Sequence, residues 1–147
     1  MKLTKYMWYF SAVYAGIFAL VNVLLQGFDV DVGSGVNMAM IFGAAYGSAI
    51  TFVKDNGRAP DKKESNVLSF YCLLSTYVIS LLGTSIIVLL VMPEPDVQEL
   101  KQLLVSLSPV IWIVIAIVVG VLYFLMLKFV FGWGARKYAS TLARRKM

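Results

Sequence analysis

The residues of this chain most able to carry chemistry are polar side chains that lie inside long apolar runs. Asn22 and Asn37 lie at similar distances from the segment that joins the first two runs. We therefore expect their amides at one depth on neighbouring helices, where a hydrogen bond between them would stabilise packing; the alternative is a polar patch lining an outward-facing cavity. Thr76 and Ser80 follow at helical spacing in the third run. Such hydroxyls usually bond to carbonyls of their own helix, and the alternative is a pore lining.

Other chemistry is excluded by residue types that the sequence lacks. There is no histidine, which is the commonest general base and metal ligand. The single cysteine, Cys72, excludes an internal disulfide and a cysteine-based metal site. No Asp, Glu or Arg lies inside an apolar run, and the only lysine there is Lys128. Because ion and proton pathways normally contain such charges, the pattern argues against a proton-driven pump, and we expect no catalytic residue, metal or cofactor.

Basic residues outside the runs predict contacts with lipid or with a partner. In the loop "DNGRAPDKKE", the Asn56-Gly57 pair is typical of a turn, and Arg58 offers a fork-shaped donor for a specific contact. Salt bridges and lipid headgroup contacts are the favoured uses of this loop, and a binding site is the alternative. The C-terminal stretch combines aromatic and basic residues in a pattern typical of an interfacial anchor on anionic lipid. Its contact residues are Arg136, Lys137, Arg144 and Arg145.

A stripe of small residues runs along the second apolar run at a spacing of four, and the first run has small residues to match. Its members are Gly35, Ala39, Gly43 and Gly47, matched by Ala12 and Gly16. Between membrane helices, close approach over Gly and Ala drives association. The stripe therefore predicts a tight hairpin of the first two helices, and the alternative is a homo-oligomer seam or a docking face for a larger membrane partner.

The elements that position these residues are four transmembrane helices. The chain is 60% hydrophobic and 14% charged, with a mean hydropathy of +0.80, whereas soluble domains average about 25% charged residues. Each run reaches the roughly 20 residues that a bilayer requires. The predicted helices are 6–25, 33–53, 67–92 and 109–131, followed by a basic cytoplasmic tail at 132–147. We thus predict an all-α polytopic protein whose partner is the lipid bilayer.

Charge and capping patterns predict the topology. All basic residues except Lys101 fall on one side of the four runs, so the positive-inside rule puts both termini in the cytoplasm. Asp61 and Glu64 have capping-box spacing at the start of helix three. Asp96 and Glu99 repeat this spacing before a short segment that predicts an amphipathic helix on the outer membrane surface.

The start of helix four is predicted from a further local pattern. Ser108 precedes Pro109, and proline is favoured at the first position of a helix. We therefore expect Ser108 to cap this helix.

The loop and the tail also carry a resemblance to a known family. The stretch Phe52-Val53-…-Gly57-Arg58-Ala59-Pro60-…-Glu64 lies between a helix rich in small residues and a helix with Ser and Thr. Together with the tail "FGWGARK", it resembles a family of small, uncharacterised bacterial inner-membrane proteins. The resemblance implies a four-helix bundle in the bacterial cytoplasmic membrane, and it implies no activity.

These observations favour a non-enzymatic inner-membrane protein that packs with itself or with a membrane partner. Its role would be accessory, regulatory or envelope-associated, with no nucleic-acid partner. The alternative is a small transporter or channel subunit that forms a pathway by oligomerisation. A membrane enzyme ranks third, because no nucleophile or base constellation is evident.

Overall fold

The structure is a computed structural model that describes residues 3–28, 35–90, 94–106 and 108–145. For 25–28, 90, 94–96, 99, 100, 103 and 145 the backbone alone is described. The elements are α1 (Thr4–Phe28), α2 (Gly35–Asn56), α3 (Lys62–Leu90), α4 (Glu94–Ser106), α5 (Pro109–Phe129), a π-helical segment (Val130–Gly134) and α6 (Ala135–Arg145). Within these described ranges, four helical spans are long and apolar enough to cross a membrane. The prediction of an all-helical chain with four such helices is confirmed.

The turn between α2 and α3 has the local chemistry that the sequence predicts. Gly57 has a φ of +67°, which a residue with a side chain rarely adopts, and its N–H donates to the carbonyl of Val53 (2.8 Å). The backbone N–H of Glu64 donates to Asp61 Oδ1 (2.8 Å), and the N–H of Asp61 donates to Glu64 Oε2 (2.9 Å). The predicted capping box is confirmed, and it ends the loop where α3 begins.

The start of α5 shows only part of the expected capping by Ser108. Ser108 precedes α5 with extended backbone, and Pro109 takes the first helical position, but the Ser108 side chain makes no capping hydrogen bond. Instead, Trp112 Nε1 donates to the carbonyl of Leu104 (3.2 Å), which ties α4 to α5. A helix is thus present between α3 and α5. The Asp96–Glu99 capping pair lies outside the described side chains, and the place of α4 on the membrane surface stays a prediction.

The helices form a bundle in which α1 packs against both α2 and α3, and α5 packs against α3. The π-helical segment continues α5 without a break, and it packs with α6 against α2. Thr4, Asn56 and Lys62 lie at the same end of the bundle, which we call the basic end because the loop and tail there are rich in Lys and Arg.

Burial is concentrated in the half of the bundle next to the basic end. On α1 the buried side chains are Tyr6, Phe10 and Tyr14, and on α3 burial ends at Thr76. On α5 it begins only at Gly120. Beyond these positions, toward the far end, no residue of α1, α3 or α5 within the described ranges is buried. We call these two parts the packed half and the open half.

Candidate functional site

The small stripe of α2 lies mostly on the outside of the bundle, so the favoured expectation of a stripe packed on α1 is wrong. Gly35, Ala39 and Gly43 are exposed. A Cβ built at Gly35 or Gly43 would meet no described residue within 4 Å. Gly47 is the exception, because a Cβ there would lie 3.7 Å from the Tyr9 ring of α1. We call Gly35, Ala39 and Gly43 the small-residue face.

A different set of small residues brings α2 close to the rest of the bundle. The buried side chains of α2 are Met40, Ile41, Ala44, Ala45, Ser48, Ala49, Phe52 and Val53. This face combines Ala and Ser, which allow close approach, with larger side chains that fill the core. Ser48 Oγ donates to the backbone carbonyl of Tyr6 (2.9 Å), which requires the two backbones to lie close together. Helix α2 therefore carries two stripes of small residues. The stripe that is flanked by larger side chains such as Ile41 and Phe52 is buried.

The matching small residues of α1 are also outside the core. Ala12 and Gly16 are exposed, and a Cβ at Gly16 would meet nothing within 4 Å. The contact between α1 and α2 is reinforced at the basic end, where Lys5 Nζ lies 2.7 Å from Asp55 Oδ2. Tyr6 Oη also donates to Asp55 (3.2 Å). These contacts, together with the hydrogen bond of Ser48, hold α1 against α2. The sequence instead predicts that the small-residue stripe forms this hairpin contact.

A partly buried hydrogen-bonded cluster joins three helices at the boundary between the packed half and the open half. Tyr14 Oη donates to Asn37 Oδ1 (3.0 Å) and lies 2.9 Å from Ser80 Oγ. Because a phenol has one proton to donate, the Ser80 hydroxyl is the donor in the second bond. Tyr14 is fully buried, and it is the residue that brings Asn37 of α2 and Ser80 of α3 together. We call these three residues the polar cluster.

The expected pairing of Asn22 with Asn37 is replaced by other contacts. Asn22 Nδ2 donates to the carbonyl of Phe18, one turn back on its own helix (2.7 Å). Asn37 accepts from Tyr14 instead. Sequence reasoning missed Tyr14 because a tyrosine among apolar residues looks like core. The available signal was its phenol, which needs a partner wherever it is buried.

Thr76 and Ser80, which the sequence places at helical spacing in α3, make different kinds of hydrogen bond. Thr76 Oγ1 donates to the carbonyl of Cys72 (2.9 Å), which is the ordinary bond of a helical threonine. Cys72 is fully buried. Ser80 bonds across to α1 as part of the polar cluster. Both hydroxyls thus have partners within the bundle.

Arg58 has its specific contact inside the protein. Its guanidinium forms two hydrogen bonds with Glu64, of 2.8 Å and 2.9 Å, and a third with the carbonyl of Ala59 (3.1 Å). The Glu64 carboxylate raises the pKa of the Arg58 guanidinium through these bonds. Because Glu64 is also a member of the capping box, Arg58 fixes the loop to the start of α3. The contact shown is internal, with Glu64 as the partner, and a contact of Arg58 with lipid or a partner protein stays a prediction.

The C-terminal basic residues lie on a helix that is packed on one side. Arg136, Lys137 and Arg144 are exposed, and the side chain of Arg145 lies outside the described residues. Lys137 Nζ lies 5.0 Å from the centre of the Trp133 ring. On the opposite side of α6, Tyr138, Ala139 and Leu142 are partly buried and pack against the core. The basic side chains therefore project from a helix that α2 holds in place.

Comparison of the chain with protein-family models, with characterised proteins and with solved structures found no match. The resemblance to small bacterial inner-membrane proteins therefore stays a prediction. Function must be inferred from the geometry of this chain alone.

Proposed function

We propose that the protein is a non-enzymatic integral membrane component that acts by helix packing. Its small-residue face would receive a transmembrane helix of a membrane partner or of a second copy, in an accessory, regulatory or envelope-associated role. The observation that carries this proposal is the open space beside Gly35 and Gly43. Packing over small residues is the main source of helix association in a bilayer, where no hydrophobic drive exists.

The exposed surface of α5 supports this interpretation by contrast. Ile113, Ile117 and Val121 are 59%, 60% and 53% exposed, and they offer lipid chains large branched surfaces. The small-residue face of α2 offers lipid almost no side chain. Such a face suits a helix backbone that can approach closely, as in other small-residue contacts between membrane helices.

We further propose that the protein lies in the bacterial cytoplasmic membrane with both termini in the cytoplasm. The support is the charge distribution, since Lys and Arg are concentrated in the tail and in the loop between α2 and α3. Cytoplasmic loops of membrane proteins carry such an excess of basic residues. The proposed location agrees with the resemblance to the bacterial family.

Two alanines allow a matched test of the packing proposal. Ala39 and Ala116 are both exposed in membrane-length helices, but only Ala39 belongs to the small-residue face. We expect Ala39→Leu, alone and with Gly43→Leu, to abolish association, because leucine fills the space that a partner helix needs. Ala116→Leu should leave association unchanged. The measurement combines energy transfer between two differently labelled copies in membranes with mass spectrometry of proteins that copurify in mild detergent.

The same preparations decide between packing and the alternative function, a transporter or channel subunit. The observation that favours the alternative is the polar cluster, because it places hydroxyls and an amide next to the open half. If Ser80→Cys reacts with a water-soluble maleimide while buried Cys72 does not, the pathway proposal gains support. If Ala39→Leu, alone or with Gly43→Leu, associates and copurifies with the same proteins as the parent, the packing proposal is wrong.

A further inference from the structure

A cleft at the basic end lies between the start of α3 and the π-helical segment. Its volume is about 520 Å³. One wall is formed by Asp61, Lys62 and Ser65, and the other includes Lys128 and Arg136. The cleft therefore lies where the hydrophobic span of α5 ends and the basic tail begins.

The charge of the cleft is positive. Three basic side chains, Lys62, Lys128 and Arg136, line it against one carboxylate, Asp61, which gives a net charge of 3 − 1 = +2. Asp61 Oδ1 already accepts the N–H of Glu64. Across the described ranges, none of the three cations forms an ion pair. The cleft also lies at the N-terminus of α3, where the helix dipole favours an anion.

Ser65 supplies an independent sign of a missing ligand. It lines the cleft and is 4% exposed, yet its Oγ has no hydrogen-bond partner within the described part of the chain. Other helical hydroxyls, such as those of Ser11 and Thr51, donate to the carbonyl four residues back. Ser69 also lacks a partner, but it does not line the cleft. A buried hydroxyl without a hydrogen-bond partner is unfavourable. After rotation of its side chain, the Ser65 hydroxyl could donate a hydrogen bond to a ligand oxygen in the cleft.

An apolar groove continues from the cleft along α3 and α5. It is about 370 Å³ and shares Asn66 and Lys128 with the cleft. Its other walls include Val67, Phe70 and Phe124. Phe70 lies one helical turn beyond Asn66, and Phe124 lies one turn before Lys128, so the groove extends further into the hydrophobic spans. A charged cleft at the membrane surface thus opens into an apolar groove that points toward the bilayer centre.

We propose that the cleft and the groove together bind one anionic phospholipid. Its phosphate lies among Lys62, Lys128 and Arg136, where it accepts hydrogen bonds from these cations and from Ser65. One acyl chain follows the groove past Phe70. Trp133, which stacks on Phe129 with ring centres 5.1 Å apart, borders the cleft at headgroup level, as interfacial tryptophans do. The combination of positive charge with a continuous apolar groove distinguishes a lipid from a free phosphate.

Native mass spectrometry of the full chain in detergent tests this proposal. The probes are phosphatidylglycerol and phosphatidylcholine with identical acyl chains, together with soluble glycerol phosphate. We expect retention of one phosphatidylglycerol, with weaker binding of phosphatidylcholine and none of glycerol phosphate. Removing two charges with Lys128→Gln and Arg136→Gln should weaken phosphatidylglycerol binding roughly thirtyfold. Ser65→Ala should weaken it to a smaller extent.

A matched double variant controls for general electrostatic attraction. Lys54→Gln with Lys63→Gln removes the same charge at the same end, but neither residue lines the cleft. This variant should bind phosphatidylglycerol like the parent. Equal losses in the two double variants would overturn the proposal, because they would show diffuse attraction. Equal binding of both lipids, or competition by glycerol phosphate, would also overturn it. Helix content and thermal unfolding of each variant show that a loss is not due to misfolding.

Discussion

The packed half and the open half of this bundle are built from the same four helices, but they differ in how the helices meet. In the packed half, Phe10 of α1, Ile41 of α2 and Leu127 of α5 are completely buried. In the open half, Leu81 of α3 is 71% exposed and Ile117 of α5 is 60% exposed. Hydropathy does not distinguish the halves, since both are strongly apolar.

The difference shows that a membrane-spanning helix needs apolar side chains along its whole length, but it needs to pack against other helices over only part of that length. In water, an open half of this kind would collapse because exposed apolar surface is unfavourable. In a bilayer, lipid chains cover the same surface without that penalty, so packing is free to concentrate at one end. The basic end, where the loop between α2 and α3 lies beside the C-terminal tail, is the part of this molecule in which side-chain fit defines the structure.

The largest expected effect is a difference between truncations in the two halves. Phe10→Ala should lower the free energy of unfolding by about 3–5 kcal/mol, because it leaves a cavity among buried side chains. Leu81→Ala should have little effect, because lipid or detergent replaces the lost contacts. Reversible unfolding of both variants in the same detergent measures the difference. Equal destabilisation would mean that the open half closes in the membrane.

A smaller effect should separate two glycines. A Cβ at Gly83 of α3 would overlap the Phe18 ring of α1, whereas a Cβ at Gly43 of α2 would meet nothing within 4 Å. Relative to Gly43→Ala, which gains the same helix propensity, Gly83→Ala should lower the free energy of unfolding by about 1–3 kcal/mol through overpacking. Gly43→Ala should leave stability unchanged or raise it, because alanine favours the helix. Unfolding of both variants as monomers tests whether the open half keeps the contact between Gly83 and Phe18.

The smallest expected effect is at the boundary between the halves. Tyr14→Phe removes the hydroxyl that joins Asn37 and Ser80, and hydrogen bonds between membrane helices contribute about 0.6 kcal/mol on average. Tyr71→Phe is the control, because Tyr71 is 47% exposed. A double-mutant cycle with Ser80→Ala isolates the pair. A coupling energy of zero would show that the polar cluster does not hold α1 to α3.

The features that the sequence predicted correctly are those set by local patterns. Run length and hydropathy predict the four spanning helices, and the Asp61–Glu64 spacing predicts where α3 begins. The turn at Gly57 follows from its own backbone freedom. Each of these depends on residues close together in the chain, so no knowledge of packing was required.

The buried face of α2 could not be predicted in the same way. Both stripes of this helix are small and apolar, and in a bilayer no difference in polarity distinguishes an inner face from an outer one. The deciding residues were Ile41, Phe52 and Val53, whose size fills the core beside Ala45. Tyr14 and the cleft near Ser65 were missed for a related reason, since each depends on which helices are neighbours.

The π-helical segment Val130–Gly134 sets the direction in which the C-terminal side chains project. A π-turn contains one more residue than an α-turn, and such turns usually arise from a one-residue insertion in a regular helix. Deleting one residue here, such as Gly132, would restore regular winding and rotate α6 by about 100° relative to α5. Arg136 would leave the cleft wall, and Tyr138 and Leu142 would lose their place on α2. The rotation of α6 relative to α5 about the helix axis thus depends on the one extra residue in the π-turn.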